Sequence, residues 1–140
     1  MAIKMRILHY TGKAKLKSIG DLIRAEYDLA VNSVDSIPPA YSCQKERLVI
    51  LGISSKSDID DVLRRFCSEL NRERATNIAL VMDGNEATAN KIIDTLKQAG
   101  SNIIPEVQYI TCGLFKSKLT DEEKTTILSW IHDIIDNKLV

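Results

Sequence analysis

The 140-residue chain reads as an α/β protein of three layers, αβα, built on a doubly wound, five-stranded parallel sheet. Three observations predict this. Short continuous apolar runs recur along the chain, the pattern of strands covered on both faces. Most are followed by a stretch whose apolar residues return at helical spacing. The junctions carry glycine and short polar residues, the chemistry of turns and caps. Strands alternating with helices are expected to run parallel through right-handed crossovers. The strand order expected is 2-1-3-4-5, with a switch point between the first and third strands.

Residues 5–10, Met-Arg-Ile-Leu-His-Tyr, form the expected first strand. Residues 11–17 follow as a loop with three lysines, Lys13, Lys15 and Lys17, and a helix is predicted to open at Ser18. Ile19, Leu22, Ile23 and Tyr27 make its core-facing stripe, and Ser18 with Asp21 resembles a capping box. Gly20 in that helix costs roughly 1 kcal/mol against alanine, and could let a backbone or ligand come close. Leu29, Ala30 and Val31 read as a short second strand, and residues 35–39, ending in Pro38-Pro39, as loop.

Residues 48–52, Leu-Val-Ile-Leu-Gly, are the clearest strand. A polar loop at 54–58 leads into a helix from about Asp58, capped by Ser57 or Asp58, with Ile59, Val62, Leu63, Phe66 and Leu70 on one face. Residues 77–82 form the fourth strand, and Asp83-Gly84-Asn85 is turn chemistry. The next helix carries Ala89, Ile92, Ile93 and Leu96 and stops at Gly100. Residues 103–112 read as the fifth strand, with Pro105 restricting where its ladder begins. The last helix starts at Thr120, where Thr120 and Glu123 make a capping box, and buries Ile127, Leu128, Ile131, Ile134 and Ile135.

A chain of this length fits a single domain, residues 1–140. Lysine plus arginine and aspartate plus glutamate number 19 each, and the zero net charge argues against broad nucleic-acid binding. The three cysteines, Cys43, Cys67 and Cys112, are widely spaced, without the pattern of a disulfide framework or zinc site. Reduced thiols in a cytoplasm are expected. Lys4 and Arg6 interrupt any early signal-like run, and no apolar run approaches the ~20 residues that span a bilayer. No membrane partner is expected.

The candidate site lies where the first strand meets the first helix. Unpaired backbone N–H groups and the positive end of the helix dipole favour anions there. Tyr10, Thr11, Gly12, Lys13, Ala14, Lys15 and Ser18 form a candidate anion cradle, while the other reading is a solvated lysine-rich loop. His9 could touch a ligand or simply pack, and His132 lies on the last helix, away from this site. Asp60 and Asp61 could suggest Mg²⁺, but acids early in a helix are ordinary dipole partners. Nothing near Cys112 clearly lowers its thiol pKa. Trp130 has the spacing of a partly buried or partner-contacting residue.

Tyr10-Thr11-Gly12 ahead of a helix is similar to a phosphate loop of the form Ser/Thr-x-Thr-Gly-Asn-Thr. Residues 48–52 ending in Gly52, residues 78–85, and Tyr109-Ile110-Thr111-Cys112-Gly113 look like the strands that carry the remaining loops of one family. On these residues the chain resembles the flavodoxin family over nearly its whole length. The resemblance implies non-covalent FMN binding and electron transfer to a redox partner protein. The phosphate would sit on residues 11–18, and Ser54, Ser55, Asp83 and Gly84 would meet the flavin or a nucleotide sugar. The chain departs from the pattern at Lys13 and Ala14, where the family has Asn and Thr. If Ile19 is the first core-facing position, the spacing from Gly12 is long, and the loops after Gly52 and Met82 lack the family's aromatic. A flavin-free domain of the same fold, acting as a partner-binding or regulatory module, is the second reading. A third is an enzyme acting on another phosphorylated small molecule, for which no base or nucleophile stands out.

Overall fold

A computed structural model describes residues 4–10, 13–28, 30–55, 60–112 and 118–140. Its strands are β1 (Met5–His9), β2 (Val31–Ser36), β3 (Glu46–Ser54), β4 (Ala75–Asp83), β5 (Asn102–Ile103) and β6 (Gln108–Tyr109). Its helices are α1 (Ala14–Glu26), α2 (Asp61–Glu69), α3 (Glu86–Ala99) and α4 (Asp121–Asp133), the last running into a π-helical turn, Ile134–Lys138.

All strand pairs are parallel, in the order β2-β1-β3-β4-β5, with β6 also pairing to β4. The doubly wound α/β sheet expected from the sequence is therefore present, with one change. The continuous fifth strand is two short pieces: Asn102 and Ile103 pair with Asn77 and Ile78, and Gln108 and Tyr109 pair with Val81 and Met82. Pro105 stands between them and has no N–H to give a ladder.

β3 and β4 are the axis of the molecule, and alternation along them feeds two cores. Leu48, Ile50, Ala79 and Val81 face the layer of α1 and α4, with Leu16, Ile19, Ile23, Ile127 and Ile131. Val49, Leu51, Ile78, Leu80 and Met82 face the layer of α2 and α3, with Leu63, Cys67, Ala89, Ile92 and Leu96. Each fully buried Leu or Ile contributes about 1.5–3 kcal/mol relative to exposure.

Several element boundaries move from their expected places. α1 opens at Ala14, not Ser18, because Ala14-Lys15-Leu16-Lys17 is a run of strong helix formers. Ser18 is not a cap: its Oγ donates to the Ala14 carbonyl 3.0 Å away, one turn back. Gly20 then lies mid-helix, where a Cβ would come within 2.9 Å of Val34 Cγ1 and 3.2 Å of Ile7 Cγ2. The cap of α2 is Asp60, whose Oδ1 accepts from Leu63 N at 2.8 Å, while Ser57, Asp58 and Ile59 lie outside the described residues. Val62, expected in the core, is 58 % exposed. β2 starts at Val31 and runs through Ser36, so it takes in part of the expected loop, and Leu29 lies outside the described residues.

The expected stops and starts later in the chain are present. Gly100 ends α3 with a left-handed φ of 113°. Thr120 and Glu123 close the reciprocal capping box of α4, Glu123 N to Thr120 Oγ1 at 3.1 Å and Thr120 N to Glu123 Oε1 at 3.0 Å. Among the described residues no helix is long and apolar enough to cross a membrane.

Candidate functional site

The C-terminal ends of β1, β3, β4 and β6 gather the candidate residues at one edge of the sheet. Thr11 and Gly12 lie outside the described residues. On either side of them, Tyr10 leaves β1 with its N–H on the Gly52 carbonyl at 2.7 Å, and Lys13 occupies the N-cap position of α1. Leu16 is the first buried apolar residue of α1 and seats over Gly52, where a Cβ would lie 3.3 Å from Leu16 Cδ2. The first core-facing position is thus Leu16 rather than Ile19, and the apparent excess length after Gly12 disappears.

The four helices differ at their N-termini. Asp60 caps α2, Asn85 caps α3 through Thr88 N at 2.8 Å, and Thr120 caps α4. Lys13 makes no side-chain cap on α1, and no acid stands in that first turn. The positive end of this dipole therefore meets an exposed lysine where the other helices present oxygen ligands.

Lys15, expected in the cradle, turns inward and is 4 % exposed. Its Nζ lies 2.6 Å from Glu123 Oε2 and donates to the Thr111 carbonyl at 2.9 Å. It therefore ties the first turn of α1 to the first turn of α4. The Lys15 hydrogen bond, with help from the Thr120 backbone, holds the Glu123 carboxyl below its ordinary value. Lys17 is exposed.

Ser54 and Asp83 also spend their side chains on the scaffold. Ser54 Oγ donates to Asp83 Oδ2 at 2.6 Å, and Cys112 N donates to Asp83 Oδ1 at 3.2 Å. Asp83 is 3 % exposed, so its carboxylate pins the ends of β3, β4 and the segment after β6 together. Burial, and then the Asp83 charge, push the Cys112 thiol up to about 11, so it is protonated at neutral pH and a poor nucleophile. Ser55 N donates to the Asp83 carbonyl at 3.0 Å. A Cβ on Gly84 would sit 2.1 Å from the Ser55 carbonyl oxygen, so only glycine lets these two chain segments touch. Asn85 turns the chain into α3, as the tight-turn reading expected.

His9 Nδ1 is buried without a hydrogen-bond partner. His132 lies 3.3 Å from Glu26 on the α1–α4 surface. Asp60 is a cap and accepts the Tyr10 hydroxyl at 2.6 Å, and no metal-ligating cluster occurs among the described residues. Trp130 is half-buried, its Nε1 donating to the Glu106 carbonyl at 2.8 Å. The residues that sequence reasoning missed are Thr111 and Glu123. Glu123 was legible only as half of a capping box, and nothing in the linear sequence pairs it with Lys15.

Order 2-1-3-4 and a parallel sheet between two helical layers define a flavodoxin-like fold. Solved structures of that kind superpose on the chain. A short-chain flavodoxin associated with a PDU bacterial microcompartment matches with TM-score 0.69 at 11 % identity, covering 99 % of each chain. The apo-form of a flavoprotein from Lactobacillus acidophilus NCFM matches with TM-score 0.59 at 13 % identity, over 85 % of this chain and 99 % of that one. The flavodoxin-like domain of a Synechococcus protein matches with TM-score 0.55 at 13 % identity, over 92 % of this chain and 99 % of that one. No family model matches the sequence, and no curated relative does.

Proposed function

We propose that the chain is a flavodoxin-like electron carrier that binds FMN non-covalently. The observation that carries this reading is the first turn of α1: a helix N-terminus with no side-chain cap among the described residues, fronted by exposed Lys13, at the switch point between β1 and β3. A dianionic phosphate there would accept from the N–H groups at the start of α1 and sit against the Lys13 charge. The printed descriptions of the similar structures, a flavodoxin and a flavoprotein, support the same reading.

In this proposal the α1 amides and Lys13 hold the phosphate. Lys15 holds no ligand: it fixes α1 against α4 and so sets where those amides point. The backbone of Ser55 and Gly84 would present polar groups to the ring, while the Ser54 hydroxyl stays on Asp83. Bound flavin supplies one- and two-electron chemistry, and the protein supplies position and electrostatics. The redox partner is a protein, and the free, buried thiols of Cys43, Cys67 and Cys112 suit a cytoplasmic setting.

One observation favours the flavin-free alternative. Ser54 and Asp83 are bonded to each other, and the Ser55–Gly84 contact closes the base of the gap between the β3 and β4 loops. Titration of the apo protein with FMN separates the two. Saturable quenching of flavin fluorescence, weakened about tenfold by Lys13→Ala, is the expected result. A protein that stays folded and binds no flavin at millimolar FMN would leave the partner-binding or regulatory module.

A further inference from the structure

The crossover from β2 to β3, residues 37–45, contains no helix. The face of the sheet carrying α2 and α3 is therefore covered over β1 and β2 only by an irregular strap. The strap places Ile37 and Cys43 in the core. Beneath it Arg6, 6 % exposed, is fully engaged: Nη2 lies 2.9 Å from Asp35 Oδ2, Nη1 donates to the Tyr41 carbonyl at 2.8 Å, and Nε donates to Ser33 Oγ at 3.1 Å.

Where the strap leaves β2 it does not reach α2. A groove of about 470 Å³ opens between them, lined by Tyr10, Ile37, Pro38, Asp60, Asp61 and Val62, among others. Val62 belongs to the apolar stripe of α2 by spacing, yet is 58 % exposed on this wall. On the strap itself Tyr41 is 83 % exposed. The carboxylates stand on the α2 side. Tyr10, by its hydrogen bond, holds the Asp60 carboxyl below its ordinary range, and Asp61 is 89 % exposed with a single surface pairing to Arg64 at 2.9 Å.

We propose that this groove between the strap and α2 docks a basic amphipathic helix of a partner protein, whose apolar side chains cover Val62, Ile37 and Pro38 while its lysines or arginines meet Asp60 and Asp61. The apolar floor asks for an apolar stripe, and the acidic wall selects its charge. The helix would lie on the face from which this chain's own crossover helix is missing. A second copy of the chain fits less well, because a two-fold contact here would bring Asp61 toward its own equivalent. The proposal does not depend on flavin binding.

The test uses the whole chain, labelled with ¹⁵N, and a synthetic leucine–lysine amphipathic helix as probe, with the matching leucine–glutamate peptide as control. Saturable shifts confined to the amides of Ser36, Ile37 and residues 60–63, seen with the lysine peptide, absent with the glutamate peptide and weakened by salt, are expected. Val62→Glu and Asp61→Lys should each weaken binding about tenfold or more while leaving the remaining spectrum folded. With the peptides, three results would overturn the proposal: shifts elsewhere on the surface, equal binding of both peptides, or concentration-dependent self-association lost in Val62→Glu. FMN titration provides a further control, since FMN shifts centred on this groove would make it the cofactor's site and end the docking assignment.

Discussion

Lys15 shows how far one side chain can lie from the role its neighbours suggest. In the sequence it sits among Lys13 and Lys17 as a third cation of a loop. In the fold it is a buried tie between two helix starts, with Glu123 and the Thr111 carbonyl as partners. Removing one member of such a pair leaves the other poorly solvated, although Glu123, at 30 % side-chain exposure, keeps some water. The acid dependence follows from the Glu123 carboxyl, held below its ordinary 4.5 by Lys15. A carboxyl with a depressed folded pKa stabilises fully above its unfolded value, and that contribution is lost as the pH falls through the folded value. Glu123→Gln should therefore cost about 1 kcal/mol at pH 7 and narrow its gap to the parent below pH 4.5. Urea unfolding at several pH values measures this. A gap that stays constant down to the acid transition would mean that the ion pair contributes nothing.

At the scale of elements, α1 carries the sharpest prediction because its N-terminus is unlike those of α2, α3 and α4. Lys13→Asp places a capping oxygen where the other helices have one and an acid at the positive end of the dipole. It should stabilise the ligand-free protein by about 1 kcal/mol in urea unfolding. The same change should abolish FMN binding, since a carboxylate would occupy the phosphate's place. A Lys13→Asp protein no more stable than the parent would show that the first-turn amides are already satisfied. This boundary also marks what the sequence could and could not disclose. Thr120 and Gly100 announce their helix ends through local capping chemistry, and both fall where they were expected, whereas Asn85 was read only as part of a turn and proves to be the cap of α3. Ala14 to Lys17 look like a solvated loop because lysine serves both states; their helix propensity allows the helix, and Leu16 packing on Gly52 holds it. The break between β5 and β6 was half legible in Pro105. Val62 was misread because its spacing records a helix stripe but not that the layer beside α2 is absent.

At the scale of the molecule, the two apolar cores are back-to-back faces of the same strands. Leu48 and Ile50 point to one layer and Val49 and Leu51 to the other, so neither helical layer has a sheet of its own. That arrangement, more than any single contact, should make the layers unfold together. Trp130 is the sole tryptophan and reports on the α1–α4 layer, where it packs beside the core and bonds to the Glu106 carbonyl. Ile92, fully buried on α3, belongs to the opposite layer. Ile92→Ala removes three carbons from a closed site and should cost about 2–5 kcal/mol. If the shared sheet couples the layers, the Trp130 fluorescence transition in urea must move by the same free energy as the far-ultraviolet circular dichroism, although Ile92 and Trp130 lie on opposite faces. A tryptophan transition left in place while the dichroism shifts would mean that α2 and α3 can leave the sheet alone. β3 and β4 would then be no common spine, and the groove beside α2 would open without disturbing the candidate site at the start of α1.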